Sequence, residues 1–199
     1  LADRPNFYFE ANNRNKRSIT LDLAKPQARE IVCALAAKSD VFVQNFRKGV
    51  AARLGIDYDS LRQHNPKLIY ANASGYGPEG PDSGEPSFDP LGLARSGIMP
   101  AVGAPDSPPQ TIAGGVADQM GAIMLAYGVL AALIARERLG VGQQGDASHL
   151  GSMMMLQEMQ GKIQGGLFFG ALGGISGFLA FAALAFVLGL LFNLITYVF

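Results

Sequence analysis

Residues 18–44 read SITLDLAKPQAREIVCALAAKSDVFVQ, and the spacing of their apolar residues changes twice along this stretch. Alternation over Ser18–Leu23 predicts a short strand, and apolar residues at helical spacing after Pro26 predict a helix that ends near Lys38. Val41–Gln44 is apolar again and predicts a second strand. A strand, a helix and a strand in this order form the unit that joins two parallel strands. The N-terminal part is therefore expected to be α/β.

The rest of the chain continues this pattern before it becomes strongly apolar. Five more elements are predicted in chain order: short helices over Val50–Leu54 and Asp59–His64, a strand over Leu68–Ala73, a long helix over about Val116–Leu139, and a strand over Gln144–Ala147. The apolar composition of the long helix indicates that it is buried. Frequent glycine and proline between Gly77 and Pro109 predict loop. We expect a partial Rossmann-like parallel sheet with flanking helices, followed by a long buried helix and an apolar C-terminal helix.

Charge and cysteine content restrict the function classes. Sixteen basic and sixteen acidic residues cancel, so the chain lacks the positive field of a general nucleic-acid binder. The single cysteine, Cys33, forms no internal disulfide, which fits the reducing cytoplasm. No phosphate loop or dinucleotide fingerprint is present, which disfavours ATP and NAD. His64 and His149 have no further ligands at metal-binding spacing, so no metal site is expected, and His149 is interpreted as an interior or interface histidine.

The last segment of the chain differs from the rest in composition. No Asp, Glu, Lys, Arg or His follows Lys162, and residues 165–199 are almost continuously apolar and long enough to span a bilayer. We expect a domain at residues 1–163 and a hydrophobic, transmembrane helical segment at residues 164–199, with the domain in the cytoplasm. The alternative is that this segment is a junction artefact in a truncated chain.

Four blocks of sequence resemble the class III CoA-transferase family, which contains formyl-CoA transferase, carnitine CoA-transferase and α-methylacyl-CoA racemase. The blocks are NRNKRSITLDL (Asn13–Leu23), DVFVQNFRKGVAARLGI (Asp40–Ile56), NPKLIYANASGYGPEGP (Asn65–Pro81) and GGVADQMGAIMLAYGVLAALIARERLGVGQQGDASHLGS (Gly114–Ser152). The first βα unit and the C-terminal half of the family have no counterpart here, so the resemblance implies a fragment. It also implies a homodimer when the protein is full length, with CoA thioesters and carboxylic acids as substrates and no permanently bound cofactor.

The resemblance implies a set of CoA-binding residues. Leu21 and Lys25 border the nucleotide, Asn45 and Phe46 contact it, and Arg53 meets its phosphates. The physical chemistry agrees, because CoA needs cations for its phosphates and an apolar face for adenine. Further cations near predicted strand ends extend the candidate set: Lys16, Arg17, Arg47 and Lys48. For any single one of these cations, the alternative is a solvated surface charge.

The resemblance is incomplete at the catalytic positions. In the family, an aspartate attacks the thioester and forms a covalent intermediate, and the corresponding residue here is Gly151. The racemase histidine corresponds to Phe88, whereas the racemase aspartate is retained as Asp118. Asp118 is therefore the candidate catalytic residue, and the alternative is that it caps the long helix.

Three functions remain open at this point. The main hypothesis is an enzyme that transfers CoA between carboxylic acids. The second is an acyl-CoA α-proton racemase or isomerase that uses Asp118. The third is a non-catalytic, membrane-attached remnant that binds CoA.

Overall fold

The computed structural model describes residues 6–102 and 106–157 of the chain. In chain order its elements are α1 (Phe7–Asn12), α2 (Pro26–Ala36), β1 (Val41–Gln44), α3 (Val50–Leu54), α4 (Tyr58–Leu61), β2 (Ile69–Ser74), α5 (Asp89–Arg95), α6 (Ile98–Ala101), α7 (Val116–Leu139) and β3 (Gln144–Ser148). Residues 149–157 are helical. The predicted α/β class is confirmed, and so are the bounds predicted for β1, α3 and α7.

The described strands form one parallel sheet in the order β1-β2-β3. β2 is central, and Asn72 pairs with Gln44 on one side and with Asp146 on the other. Helices α3 and α4 connect β1 to β2, and α5, α6 and α7 connect β2 to β3. All three carboxyl ends therefore lie at the same edge of the sheet.

One face of the sheet carries an apolar core that joins it to α2, α3 and α4. Leu61, Leu68 and Tyr70 are almost fully buried there, together with Cys33 of α2. The rings of Tyr70 and Phe42 stack at a centroid distance of 5.3 Å across β2 and β1. Alternate residues of a strand face opposite sides, so the neighbours of Tyr70 in β2 lie against the other layer. That second layer is α7, which packs against β2 and β3.

The bounds of α7 follow from its two flanking glycines. Gly115 precedes the helix with φ 69° and Gly140 follows it with φ 76°, a region in which a side chain is unfavourable. Asp118 lies in the first turn, but the residue at the N-cap position is Gly115. The alternative in which Asp118 caps the helix is therefore not what the structure shows.

The prediction that α7 is buried needs correction. Of its residues only Ala117, Gly121 and Ala132 are buried, and it exposes five large apolar residues, Ile123, Tyr127, Leu130, Ile134 and Leu139. A helix on one face of a sheet buries one stripe, however apolar its other sides are. By length and composition alone α7 passes as a candidate membrane span, the one such helix in the described part, but core helices of soluble proteins pass the same test.

Two further expectations differ from what is described. Residues 18–22 are irregular, not a strand, and Ile19 is 62% exposed, because the described residues provide no strand to pair with them. The segment between Gly77 and Pro109 is not only loop, since it contains α5 and α6. The predicted membrane segment at residues 164–199 lies outside the described residues.

Tyr70 gives the core a measurable dependence on pH. Burial raises the pKa of its phenol to about 12, and the charges of Asp57 and Asp146 act in the same direction. The hydroxyl donates a hydrogen bond to the carbonyl of Ile56 at 3.1 Å. The neutral form is therefore strongly favoured in the folded state.

We expect the free energy of unfolding to fall between pH 10 and pH 12. Because an unfolded tyrosine loses its proton near pH 10 and Tyr70 retains it to about pH 12, the folded state binds more protons in this range. The loss amounts to about 2–3 kcal/mol and is absent in Tyr70→Phe, which instead loses about 1 kcal/mol at pH 7 with the hydrogen bond. Urea unfolding at several pH values measures both, with the exposed Tyr127→Phe as control. Equal pH dependence in the Tyr70→Phe and unmodified chains would contradict the assignment.

Candidate functional site

The carboxyl ends of the three strands open onto a cleft of about 880 Å³. Residues 43–49 line it at the end of β1, Ser74 and Gly75 at the end of β2, and Ser148 and His149 at the end of β3. The first half of α7 completes the lining, beginning with Asp118. Ligands of open parallel sheets bind at this edge, so the topology itself makes the cleft the candidate site.

A row of polar side chains ties the three strands together beside the cleft. Gln44 donates to Asn72 at 2.6 Å, and Asn72 donates to Asp146 at 2.6 Å. The other end of the Gln44 amide accepts a hydrogen bond from the backbone N–H of Phe46 at 2.7 Å. The row therefore fixes the backbone at Phe46. It also uses the carboxylate of Asp146 as an acceptor that joins β3 to β2.

Three residues predicted to contact CoA lie at one end of the cleft. Asn45 and Phe46 line it, and the side chain of Phe46 is partly exposed. Arg53 lies on α3, and its guanidinium is close to Gly49: a Cβ added to this glycine would lie 3.8 Å from Arg53 Nη1. Since Gly49 lines the cleft, this guanidinium stands at its edge. Asn45 and Phe46 therefore lie in the cleft with Arg53 at its edge, and their contact with CoA stays a prediction.

Four other predicted residues lie away from this lining. Lys16, Arg17, Leu21 and Lys25 precede α2 and are not among the described residues that line the cleft. Lys16 Nζ donates to the carbonyl of Asn12 at 2.5 Å, and Lys25 forms an exposed ion pair with Asp22 at 3.9 Å. Contact of these four residues with a nucleotide stays a prediction.

Lys48 anchors the glycine-rich loop that follows β2. Its ammonium donates to the carbonyl of Pro78 and to the hydroxyl of Ser83, both at 2.8 Å. Arg95 of α5 holds the same loop through Asp82 at 2.9 Å and lies over the ring of Tyr76. These contacts fix one wall of the cleft, a role that sequence reasoning did not assign to Lys48.

Asp118 meets two side chains that sequence reasoning did not connect with it. Its Oδ1 lies 3.0 Å from His149 Nε2, and His149 Nδ1 lies 3.4 Å from Ser87 Oγ. The carboxylate accepts only from a protonated Nε2, which in a neutral ring leaves Nδ1 as an acceptor facing the hydroxyl. The side chain of His149 is 21% exposed and lines the cleft, so it is not fully interior, and its interpretation as an interface histidine stays a prediction.

Glycines on three elements make room for this group. A Cβ on Gly75 would lie 2.2 Å from Ser87 Cβ, and one on Gly92 would lie 2.9 Å from His149 Cβ. A Cβ on Gly121 would lie 3.3 Å from His149 Cδ2. Real Cβ contacts are rarely so short. Ser87 and His149 can therefore pack against these three positions only because glycine has no side chain.

Asp89 orients the helix that carries Asp118. Although α5 begins at Asp89, its carboxylate accepts from the N–H groups of Ala117 at 2.6 Å and Asp118 at 3.1 Å. It therefore supplies the acceptor that the first turn of α7 lacks. A carboxylate at a helix N-terminus is also favoured by the helix dipole.

The remaining catalytic positions fall on either side of the cleft. Phe88 lines it and is 69% exposed, directly before α5. Gly151 is not in its lining but lines a smaller, adjoining cavity of about 190 Å³ between α7 and the sheet, and its N–H donates to Ser148 Oγ at 3.0 Å. In the described part of the chain, no group of three or more His, Cys, Asp or Glu residues has the geometry to hold a metal ion.

Known proteins share this sequence and fold. A sequence profile of CoA-transferase family III matches residues 2–168. The chain is 41% identical over 155 residues to a succinyl-CoA:mesaconate CoA-transferase of Haloarcula hispanica and 43% identical over 152 residues to an acetyl-CoA:oxalate CoA-transferase of Acetobacter aceti. These matches cover 76% and 75% of this chain and 39% of each relative. The crystal structure of a CAIB/BAIF family protein from Brucella suis superposes with a TM-score of 0.75 at 37% identity, covering 80% of this chain and 43% of that one.

The packing of α5 against His149 can be tested by adding one methyl group. Gly92→Ala places a Cβ 2.9 Å from His149 Cβ and 3.0 Å from Ala117 Cβ, so α5 must move away. We expect a loss of about 1–3 kcal/mol in the free energy of unfolding, although alanine favours a helix more than glycine does. The control is Gly145→Ala, where the added Cβ meets no atom within 4 Å. Thermal and urea unfolding compare the two, and equal stability would show that Gly92 is not needed for this contact.

Proposed function

Because the chain belongs to CoA-transferase family III, we propose that it binds a CoA thioester in the cleft and transfers CoA between carboxylic acids. The chain spans about two fifths of the length of the two curated relatives described above, so the activity of the whole protein is part of this proposal. The observation that carries it is the single cleft in which Phe46 and the nearby cations stand at one end and Asp118 and His149 at the other.

The nucleotide half of CoA is assigned to the end of the cleft near β1. Adenine requires a planar apolar face, for which Phe46 is exposed and held in place by Gln44. The phosphates require cations, and Arg47 lines the cleft while Arg53 stands at its edge. A guanidinium binds phosphate oxygens in pairs, which supports the assignment of Arg53 to a phosphate. The thioester then extends toward Asp118.

The transfer itself is proposed to proceed without a covalent enzyme intermediate at Gly151, since glycine has no side chain to attack. The acceptor carboxylate attacks the thioester carbonyl, and the C–S bond breaks to give a mixed anhydride and the CoA thiolate. The thiolate then attacks the acceptor half of the anhydride, and the donor acid leaves. Two acids exchange CoA with no net change in atoms or charge. Asp118 is the proposed catalytic carboxylate at the reacting end.

The contact between Asp118 and His149 favours a second candidate reaction. A carboxylate 3.0 Å from an imidazole nitrogen is a suitable pair for removing a proton from the α-carbon of an acyl-CoA. Phe88 stands where a racemase has its histidine, so the pair acts from one direction only. This supports exchange of the α-proton with solvent more than full racemisation.

Quaternary structure and location are further parts of the proposal. The exposed apolar side of α7, which includes Tyr127 and Leu130, supports a homodimer in the full-length protein. The domain is proposed to be cytoplasmic, with residues 165–199 as its membrane attachment. A remnant that only binds CoA remains the third function, and the tests below separate it from both reactions.

The first test concerns CoA binding. Arg53→Ala removes a charge-assisted contact with a phosphate and is expected to weaken CoA binding by about 1.5–3 kcal/mol. Arg62→Ala, which removes an arginine on the surface beside Tyr58, is the matched control with unchanged affinity. Calorimetric titration of the full chain with CoA measures both. Unchanged affinity in Arg53→Ala would refute this placement of the nucleotide.

The second test separates the two reactions and the remnant. The full chain is incubated in deuterated water with succinyl-CoA and a labelled acceptor acid, and products are followed by mass spectrometry. Label in CoA thioester supports transfer, deuterium at the α-carbon supports proton exchange, and neither result with CoA bound supports the remnant. Asp118→Asn keeps the shape of the residue and should abolish turnover without changing CoA affinity, whereas the surface variant Asp59→Asn should retain it. Full activity of Asp118→Asn would remove Asp118 from the mechanism.

A further inference from the structure

We propose that Ser87, His149 and Asp118 form a nucleophile–base–carboxylate triad that hydrolyses CoA thioesters. This is an activity beyond the exchange of CoA between acids, and it rests on the proposed binding of a CoA thioester in the same cleft. Ser87 is the attacking residue, His149 carries the proton, and Asp118 positions the ring.

The contacts of the imidazole place a proton acceptor beside the serine. Asp118 Oδ1 at 3.0 Å from Nε2 selects the ring form in which Nε2 carries the proton. Nδ1 then holds a lone pair and faces Ser87 Oγ at 3.4 Å. Hydrogen bonds of catalytic groups are often long before substrate binds, so this distance is compatible with a general base in the substrate-free protein. Asp118 has the role that the carboxylate has in a serine triad.

The three residues are assembled from three separate parts of the chain. Ser87 follows the glycine-rich loop, Asp118 lies in the first turn of α7, and His149 comes directly after β3. Gly75, Gly92 and Gly121 each leave a space that Ser87 or His149 occupies. A hydrogen bond from Leu150 N to the carbonyl of Gly75 at 3.1 Å joins the loop to the segment that carries His149. The relative position of serine and histidine is therefore built into the fold.

The serine hydroxyl is available to a ligand in the cleft. Ser87, Asp118 and His149 all line the cleft that also contains Phe46. Besides His149, Ser87 Oγ faces the carbonyl of Phe88 at 3.5 Å, at the limit of a hydrogen bond. The side chain of Ser87 is partly exposed, so a thioester carbonyl can approach it. A hydroxyl that served only to anchor the ring would not need this access.

The proposed reaction balances with water as the second substrate. Ser87 Oγ attacks the thioester carbonyl and gives its proton to His149 Nδ1, after which the C–S bond breaks. The CoA thiolate takes that proton and leaves as the thiol. Water then attacks the ester, His149 accepts its proton, and the C–O bond breaks as Ser87 regains a proton. The products are CoA and a carboxylic acid, and the protein returns to its first state.

The test uses acetyl-CoA as the probe, with the full chain and no acceptor acid. Release of CoA thiol is followed with a thiol-reactive chromogenic disulfide. We expect Ser87→Ala, His149→Gln and Asp118→Asn each to lower kcat by about 100-fold or more while KM and CoA affinity stay unchanged. Ser39→Ala, at an exposed serine after α2, is the control with unchanged release. The double variant Ser87→Ala/His149→Gln should lose no more than either single variant, because residues of one triad act as a unit.

Acid quenching during turnover identifies the attacked residue. Mass spectrometry of the digested protein is expected to find the acetyl group on the peptide that contains Ser87, and to find none there in Ser87→Ala. Retained hydrolysis in Ser87→Ala, or an acetyl group on another residue, would overturn the triad. So would absence of hydrolysis while calorimetry shows CoA bound, and that result would leave the proposed transfer standing. Absence of CoA binding to the unmodified chain would overturn both.

Discussion

The parallel pairing of β2 with both β1 and β3 is the constraint on which the rest of the structure depends. In parallel strands all carboxyl ends meet at one edge, so the chain leaves the sheet three times at the same place. Phe46, Ser74 and His149 lie at the three strand ends and line one cleft although they are distant in sequence. The polar row from Gln44 through Asn72 to Asp146 fixes the register at that edge. The cleft is thus a consequence of strand order.

The direction of α7 is the second constraint, because it decides where Asp118 lies. The first N–H groups of a helix lack partners within the helix, and Asp89 accepts two of them from outside. Asp89 opens α5, so the same residue locks the start of α7 to the helix that follows the glycine-rich loop. Asp118 is therefore not needed as a helix cap, and its carboxylate contacts His149. Asp89 therefore affects the candidate site without taking part in its chemistry.

The sequence was sufficient for the local elements and insufficient for the contacts between them. A long apolar run that ends before Gly140 predicted the bounds of α7, and a short apolar run predicted β1. Composition failed for α5, since glycine and proline predicted loop where Asp89 and Pro90 begin a helix. Alternation alone failed for residues 18–22, because a strand also needs a partner.

The candidate site shows the same division. Asn45, Phe46 and Asp118 were predicted from the sequence, since a strand end or a family position marks each of them, and all three line the cleft. His149 also follows a strand, which was an available signal, but its relation to Ser87 spans 62 residues and has no local trace. The glycines that pack against the imidazole of His149 could not be recognised from the sequence either, because a glycine in a helix does not indicate which residue packs against it.

These glycines also explain why the chemistry of this chain is better sought at His149 than at position 151. A glycine within a helix lowers its stability by roughly 0.5–1 kcal/mol relative to alanine, and Gly92 and Gly121 both lie within helices. That loss is offset only if the space they leave holds something, and in both cases it holds His149. Gly151, two residues later, borders the smaller cavity between α7 and the sheet, where Met124 and Val129 are its neighbours in the lining. The helical turn after β3 thus directs one position into the cleft and another into an apolar space. With no side chain at 151, the imidazole at 149 is the group from this turn that lines the cleft.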